Sequence, residues 1–192
     1  MKNFPTIFLF TGLKGSGKGA AADFLTESIK ARGQQVVRIE FADALREVVC
    51  AAFGLPRELT EIRATKELAL AEWPYQSPRE LLQIVGTDLF RAKWPDIWAR
   101  AWQRKARVAL ANGQCVVTTD CRFANEADAA MSLAEPVFMR VERQTGADDL
   151  HTSETSHYDI PVDFVIENAS SLADLRESIL KIIDLTTPQK PS

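Results

Sequence analysis

The run Phe8-Leu9-Phe10-Thr11-Gly12-Leu13-Lys14-Gly15-Ser16-Gly17-Lys18-Gly19 constrains this chain more than any other, because it passes from an apolar strand through a glycine-rich loop into a helix. The spacing of Gly12, Gly17 and Lys18 fits the phosphate-binding P-loop. Small residues there let successive backbone N–H groups curl around an anion, and the lysine reaches its outer oxygens. Residues 6–11 are apolar and rich in β-formers, while Ala21, Phe24, Leu25 and Ile29 recur at the spacing of one helix face. The phosphate-contacting stretch is thus read as Gly12, Leu13, Lys14, Gly15, Ser16, Gly17, Lys18, Gly19 and Ala20. The pattern usually follows its lysine with Ser or Thr, whose hydroxyl helps to hold Mg²⁺. Here Gly19 and Ala20 stand in the next two places, so metal binding is expected to fall to Ser16, waters and a carboxylate elsewhere.

At 192 residues the chain suits one domain with room for a substrate-binding insertion. Its net charge of −3 argues against stable nucleic-acid binding, which generally needs a basic face to displace counterions from phosphates. The three cysteines, Cys50, Cys115 and Cys121, are odd in number and lack CxxC spacing, which speaks against a disulfide framework or a zinc site. No signal-peptide pattern opens the chain and no apolar run approaches membrane-spanning length. A soluble, cytoplasmic protein without a membrane partner is expected.

Strand-like runs at 6–11, 35–40, 114–119, 136–141 and 164–167 alternate with helical segments, predicting an α/β fold with a five-stranded, mainly parallel sheet and helices on both faces. Residues 42–112 hold helical patterns and no convincing strand, which suggests an acceptor-binding insertion. Residues 144–158 are polar, carry both histidines, and lie between two strands where a short connection would serve. That stretch is read as a lid, with Arg143 at its root. Neither His151 nor His157 has zinc-site spacing.

Several side chains could carry chemistry. Ser77-Pro78-Arg79-Glu80 reads as a capped helix start, with Leu81, Val85 and Leu89 as its apolar row and Arg79, Gln83 and Thr87 as a second row. That second row either holds a phosphate and reads a base edge, or is a solvated face. Asp120 ends an apolar strand, where open α/β sheets place their ligands, and is the metal-side candidate; the bland alternative is a helix cap. Arg122 follows it, with Glu126 as a possible ion-pair partner. Asp43 and Arg46 also project from a strand's carboxyl end, although Asp43 would serve equally as an N-cap. Trp94, Trp98 and Trp102 form a stripe read as packing, and Asn168 either meets an adenine or caps a turn.

Together these pieces resemble the deoxynucleoside monophosphate kinases of tailed bacteriophages, from the P-loop to the last helix. The resemblance rests on residues 17–25, 41–45, 77–83 with Gly86-Thr87-Asp88, and 120–126, and is extended by His151-Thr152-Ser153-Glu154 and Ile166-Glu167-Asn168. It implies a P-loop kinase that uses ATP and Mg²⁺ to convert a deoxynucleoside monophosphate to the diphosphate, in a host cytoplasm if phage-encoded. Under that reading Lys18, Arg122 and Arg143 are catalytic, and Gly12 to Ala20 with Asn168 bind the donor. Asp43, Arg46, Arg79, Gln83, Thr87, Asp120, Arg122 and Glu126 line the acceptor, Arg143, His151 and Glu154 belong to the lid, and Asp120 with Ser16 serves the metal. Small nucleotides are the expected partners, with a homodimer compatible. Residues 163–172 also look similar to the C-terminal end of dephospho-coenzyme A kinases, which would make Asp43 a base for a sugar hydroxyl. A kinase of modified bases in DNA or a non-catalytic nucleotide binder would also fit the phosphate loop.

Overall fold

The structure, a computed structural model, describes residues 4, 6–143 and 159–186. The five apolar runs become strands β1 (Ile7–Thr11), β2 (Gln35–Arg38), β3 (Gln114–Thr118), β4 (Val137–Glu142) and β5 (Phe164–Glu167). The helices are α1 (Lys18–Ala31), α2 (Asp43–Phe53), α3 (Arg57–Glu61), α4 (Arg63–Lys66), α5 (Pro78–Gln83), α6 (Ile97–Ala111), α7 (Ala124–Met131) and α8 (Leu172–Thr186), with a π-helical segment at Ile84–Arg91. The strands form one all-parallel sheet in the order β2-β3-β1-β4-β5.

All five residues of β1 are buried, as a central parallel strand covered by helices on both faces requires, whereas β2 and β5 at the edges keep exposed positions. Ala21, Leu25 and Ile29 of α1 join Leu175, Ile179 and Ile183 of α8 in a core built on Phe8, Phe10, Val117, Met139 and Val141. Phe8 pairs with Val117 on one side and Val137 on the other, so β1 ends between β3 and β4. Strand order reverses there, and such a reversal opens a ligand crevice beyond the strand ends.

The chain forms two compact units, Met1–Glu40 with Gln103–Ser192, and Phe41–Trp102. The first contains the sheet. The second holds helices joined by turns and no strand, and has its own core of Leu45, Val49, Leu81, Leu82, Val85 and Trp98. It ends inside α6 and short of residue 112, because Trp98 packs into that helical core while Gln103 donates to the Ala129 carbonyl (3.1 Å) and Ser132 hydroxyl (2.8 Å) of the sheet-bearing unit.

Two details of the helical unit depart from the spacing argument. The row Leu81, Val85, Leu89 breaks, since Leu89 is exposed and Phe90 packs against the core in its place. The cause is the π-helical winding of Ile84–Arg91: its i→i+5 bonding takes in an extra residue per turn and moves the inward position from 89 to 90. Trp94 precedes α6 and stays exposed, while Trp98 and Trp102 are buried and Trp102 stacks on Phe41 at 4.8 Å. β4 and β5 run parallel as neighbours, and parallel neighbours need a crossover connection rather than a tight turn. The premise that a short connection would serve there is therefore wrong. Residues 144–158 lie outside the described residues, and with them the lid, His151 and Glu154. Among the described residues no helix is long and apolar enough to cross a membrane.

The predicted capping box is formed: Ser77 Oγ accepts from the Glu80 N–H (3.2 Å) and Glu80 Oε2 accepts from the Ser77 N–H (2.7 Å). Ser77→Ala should cost about 1 kcal/mol, as loss of an N-cap hydroxyl typically does. Urea denaturation combined with faster amide exchange at residues 79–82 would register the loss, and unchanged exchange there would count against a capping role.

Candidate functional site

The loop after β1 turns through three glycines with positive φ, Gly12 (129°), Gly15 (81°) and Gly17 (104°). At two of them the surroundings also exclude a side chain. A Cβ at Gly12 would lie 2.3 Å from the Val141 carbonyl oxygen, and one at Gly17 would lie 2.3 Å from Asn168 Nδ2. Gly17 then caps α1, whose first residue is Lys18. The Lys18 ammonium donates to the carbonyls of Gly12 and Leu13, both at 2.7 Å, so the lysine curls over the loop that precedes it. Lys14 is half-buried, and Gly15 and Gly19 are exposed. A Cβ at Gly19 would meet nothing within 4 Å. The hydroxyl missing after Lys18 is thus missing for no steric reason.

Two of the residues assigned to the loop are enclosed by it. Asn168 is buried; its Nδ2 donates to the Ser16 carbonyl at 2.8 Å and its N–H donates to the Glu142 carbonyl at 2.7 Å. Its amide holds the loop, the structural alternative to an adenine contact. Ser16 is fully buried, and its Oγ has no hydrogen-bond partner. The hydroxyl is thus enclosed in this conformation rather than presented to solvent.

A second cluster lies at the carboxyl ends of β2 and β3. Asp120 is half-buried just beyond β3, beside Glu40. Glu40 Oε2 accepts from the Thr119 N–H (2.7 Å), and its Oε1 accepts from the Thr119 hydroxyl (2.7 Å) and from Arg38 Nε (2.9 Å). Burial, then repulsion from Asp120, pushes the Glu40 carboxyl up to about 7, against the lowering effect of the Thr119 bonds. Glu40 satisfies the strand-end rule that singles out Asp120, but the charged residues Asp43 and Arg46 just after it mask the signal. Arg122 follows Asp120 and is half-buried. Glu126 is 2 % exposed and its Oε2 accepts from the backbone N–H groups of Arg122 (2.8 Å) and Phe123 (3.2 Å). It caps the entry to α7. The helix-cap alternative for Asp120 loses force accordingly. Arg143 is exposed one residue beyond β4.

In the helical unit Asp43 is the first residue of α2, one place past the N-cap Ala42. Its Oδ1 accepts from Arg46 (3.2 Å) and Arg57 (2.6 Å), and Arg57 also reaches Glu61 (2.6 Å). Arg57 had no sequence signal, because packing of α3 on α2 brings it across fourteen positions of chain. Arg79 contacts Glu67 at 3.2 Å, and the Nε atoms of Arg46 and Arg79 are buried without a partner. Gln83 is half-buried and Thr87 exposed. The Trp98 indole N–H donates to the Gly86 carbonyl at 3.0 Å, and a Cβ on Gly86 would fall 2.5 Å from Leu45 Cδ2. Close packing of α2 therefore locks the π-helical segment that carries Thr87. All three cysteines are free thiols, and among the described residues no group of three or more His, Cys, Asp or Glu is arranged for a metal.

Because Glu40 holds its proton more tightly folded than unfolded, its contribution to stability is complete below about pH 4.5 and is lost as pH rises through about 7. In chelator, the melting temperature of the wild type should therefore fall relative to that of Glu40→Gln between pH 5 and pH 8. Parallel profiles for the two proteins would contradict the burial argument.

The family model for deoxynucleotide monophosphate kinase matches residues 56–179 of the chain. A protein of Acanthamoeba polyphaga mimivirus, named for that same activity, is 30% identical over 187 residues, covering 90% of this chain and 93% of the relative. Among solved structures, the APS kinase of Mycobacterium tuberculosis in complex with AMPPNP and APS is similar with TM-score 0.53 at 15% identity, covering 95% of this chain and 98% of that one. A gluconokinase from Sinorhizobium meliloti is similar with TM-score 0.50 at 18% identity, covering 95% and 94%. At such identities these two show the shared P-loop kinase fold.

Proposed function

Because the chain belongs to the deoxynucleotide monophosphate kinase family and is a nucleotide kinase, we propose that it transfers the terminal phosphoryl group of ATP to the phosphate of a deoxynucleoside monophosphate. An acceptor phosphate oxygen bonds to the γ-phosphorus, the bond to the β,γ-bridging oxygen breaks, and a diphosphate and ADP result. The observation that carries the reading is the loop itself: left-handed glycines, the head of α1, and Lys18 curled over the Gly12 and Leu13 carbonyls. Those parts suit an anionic donor, since backbone N–H groups and one cation can take up phosphate charge without reorganising.

A monophosphate oxygen is already a nucleophile, so the acceptor needs placement and charge stabilisation more than a general base. This agrees with Asp43, whose carboxylate is engaged by Arg46 and Arg57 and is poorly placed to take a proton from a sugar hydroxyl. Arg79 and Gln83 are proposed to hold the acceptor's phosphate and its base edge, with Thr87 beside them and Arg46 as a further cation. Arg122 and Arg143 are proposed to stabilise charge on the transferred group. A Mg²⁺ ion fits the carboxylate of Asp120, at a strand end beside Glu40, better than the buried hydroxyl of Ser16. Few protein ligands suffice for Mg²⁺, which keeps much of its water when it serves a nucleotide. Bound there it would neutralise phosphate charge.

Lys18→Met should lower diphosphate formation by at least about a hundredfold, the scale of losing one preorganised charge donor, while leaving the melting temperature near that of the wild type. A folded Lys18→Met enzyme with near-normal turnover would remove the donor assignment. On a panel of deoxy- and ribonucleoside monophosphates, Arg79→Ala should raise KM for every acceptor, whereas Gln83→Ala should change their order. A uniform loss across the panel for Gln83→Ala would sink base reading, and ATP turnover that is indifferent to any monophosphate would sink the kinase assignment itself.

A further inference from the structure

We propose that Glu40 is a positioning residue for Asp120, acting through Thr119 to hold the metal-side carboxylate in place. β2 ends at Arg38, but pairing with β3 continues beyond it. The Ile39 N–H donates to the Val117 carbonyl (3.1 Å), and the Thr118 hydroxyl donates to the Ile39 carbonyl (2.7 Å). Glu40 is therefore delivered alongside Thr119, and its side chain is only 14 % exposed.

Both of its oxygens then fix residue 119, one accepting from the backbone N–H and the other from the hydroxyl. The grip is itself gripped. Arg38 Nε donates to Glu40, one Arg38 terminal nitrogen donates to the Thr119 hydroxyl (3.2 Å), and the other reaches Asp23 of α1 (2.9 Å). A chain of charge-assisted bonds thus runs from the helix that follows the phosphate loop, through the end of β2, to the peptide that carries Asp120.

Carboxylates held side by side repel unless one is spent on hydrogen-bond donors or a cation sits between them. Glu40 is spent on Thr119 and Arg38, and it also hydrogen-bonds the Asp120 side chain directly. Its carboxylate directs the backbone at residue 119, and the next residue along, Asp120, stands beyond the end of β3, where open parallel sheets hold ligands. The P-loop places no hydroxyl after Lys18, so the metal side depends more heavily on how well Asp120 is placed. Outer-shell partners of this kind commonly change metal affinity by about 10- to 100-fold when removed.

The inference rests on the reading that Asp120 serves the nucleotide's Mg²⁺, and the test separates the two. Full-length wild type, Glu40→Ala, Glu40→Gln and Asp120→Asn are compared in two ways: the Mg²⁺ concentration giving half-maximal phosphorylation, and Mn²⁺ binding to the protein with AMPPNP, followed by electron paramagnetic resonance. Glu40→Ala should weaken both by about tenfold with kcat at saturating metal nearly kept, because the donors on Thr119 lose their anchor. Glu40→Gln, whose amide oxygen still accepts from the Thr119 N–H, should retain most of the affinity. If Glu40→Gln falls as far as Glu40→Ala, Glu40 acts by its charge on the metal and positioning is wrong. If Glu40→Ala changes neither readout, the clamp is structural only. Should Glu40→Ala fail to fold, Thr119→Val against Thr119→Ser gives the same decision: the valine should weaken Mn²⁺ binding and the serine should not, and equal binding overturns the proposal. Unchanged Mn²⁺ binding in Asp120→Asn overturns the metal reading of Asp120, and this inference with it.

Discussion

The seating of the loop after β1 against its neighbours is the constraint on which the rest depends. Gly12 lies so close to the Val141 carbonyl, and Gly17 so close to the Asn168 amide, that neither position has room for a Cβ. That closeness ties the end of β1 to the ends of β4 and β5 and delivers Lys18 as the first residue of α1. The sheet sets this arrangement. β1 can be buried along its whole length only because β3 and β4 flank it and helices cover both faces, and its carboxyl end then opens where the strand order reverses.

Around that loop the first unit gathers charge in an ordered way. Cations are bonded to acceptors and carboxylates to donors: Lys18 to loop carbonyls, Arg38 to Asp23 and Glu40, Glu126 to the amides that enter α7. The raised Glu40 marks the point where this balance is tightest, with two carboxylates brought together at neighbouring strand ends. Perturbed carboxyls of this kind tend to gather where a site must handle charge, although structural networks produce them too. The second unit follows a different plan. Arg46 and Arg57 converge on Asp43, and Arg46 and Arg79 keep buried Nε donors without partners, which is a cost that an anionic ligand could relieve.

Much of the fold was legible because parallel strands buried on both faces write themselves as short apolar runs, and each of the five runs became a strand within two residues of its expected ends. The P-loop was legible for a related reason: glycines with positive φ and a lysine at fixed spacing are local requirements that no distant contact can supply. Asp120 was legible from its place at a strand end. The burial of Asn168, Ser16 and Glu126 against the backbone was not legible, because the direction of a side chain at a loop or turn depends on what packs beside it.

The sequence by itself determined the order of elements, the parallel sheet, the phosphate loop and the class of chemistry, since these rest on periodicity, turn residues and motif spacing within a few tens of residues. Tertiary structure decided which side chains meet. Arg57 reaches Asp43 only through the packing of α3 on α2, Glu40 grips Thr119 only because β2 and β3 are neighbours, and Phe90 replaces Leu89 in the helical core only because residues 84–91 wind as a π-helix under Trp98 and Leu45. Such pairings join positions far apart in the chain, and the free energy that selects them comes from burial and hydrogen bonding that no local window contains.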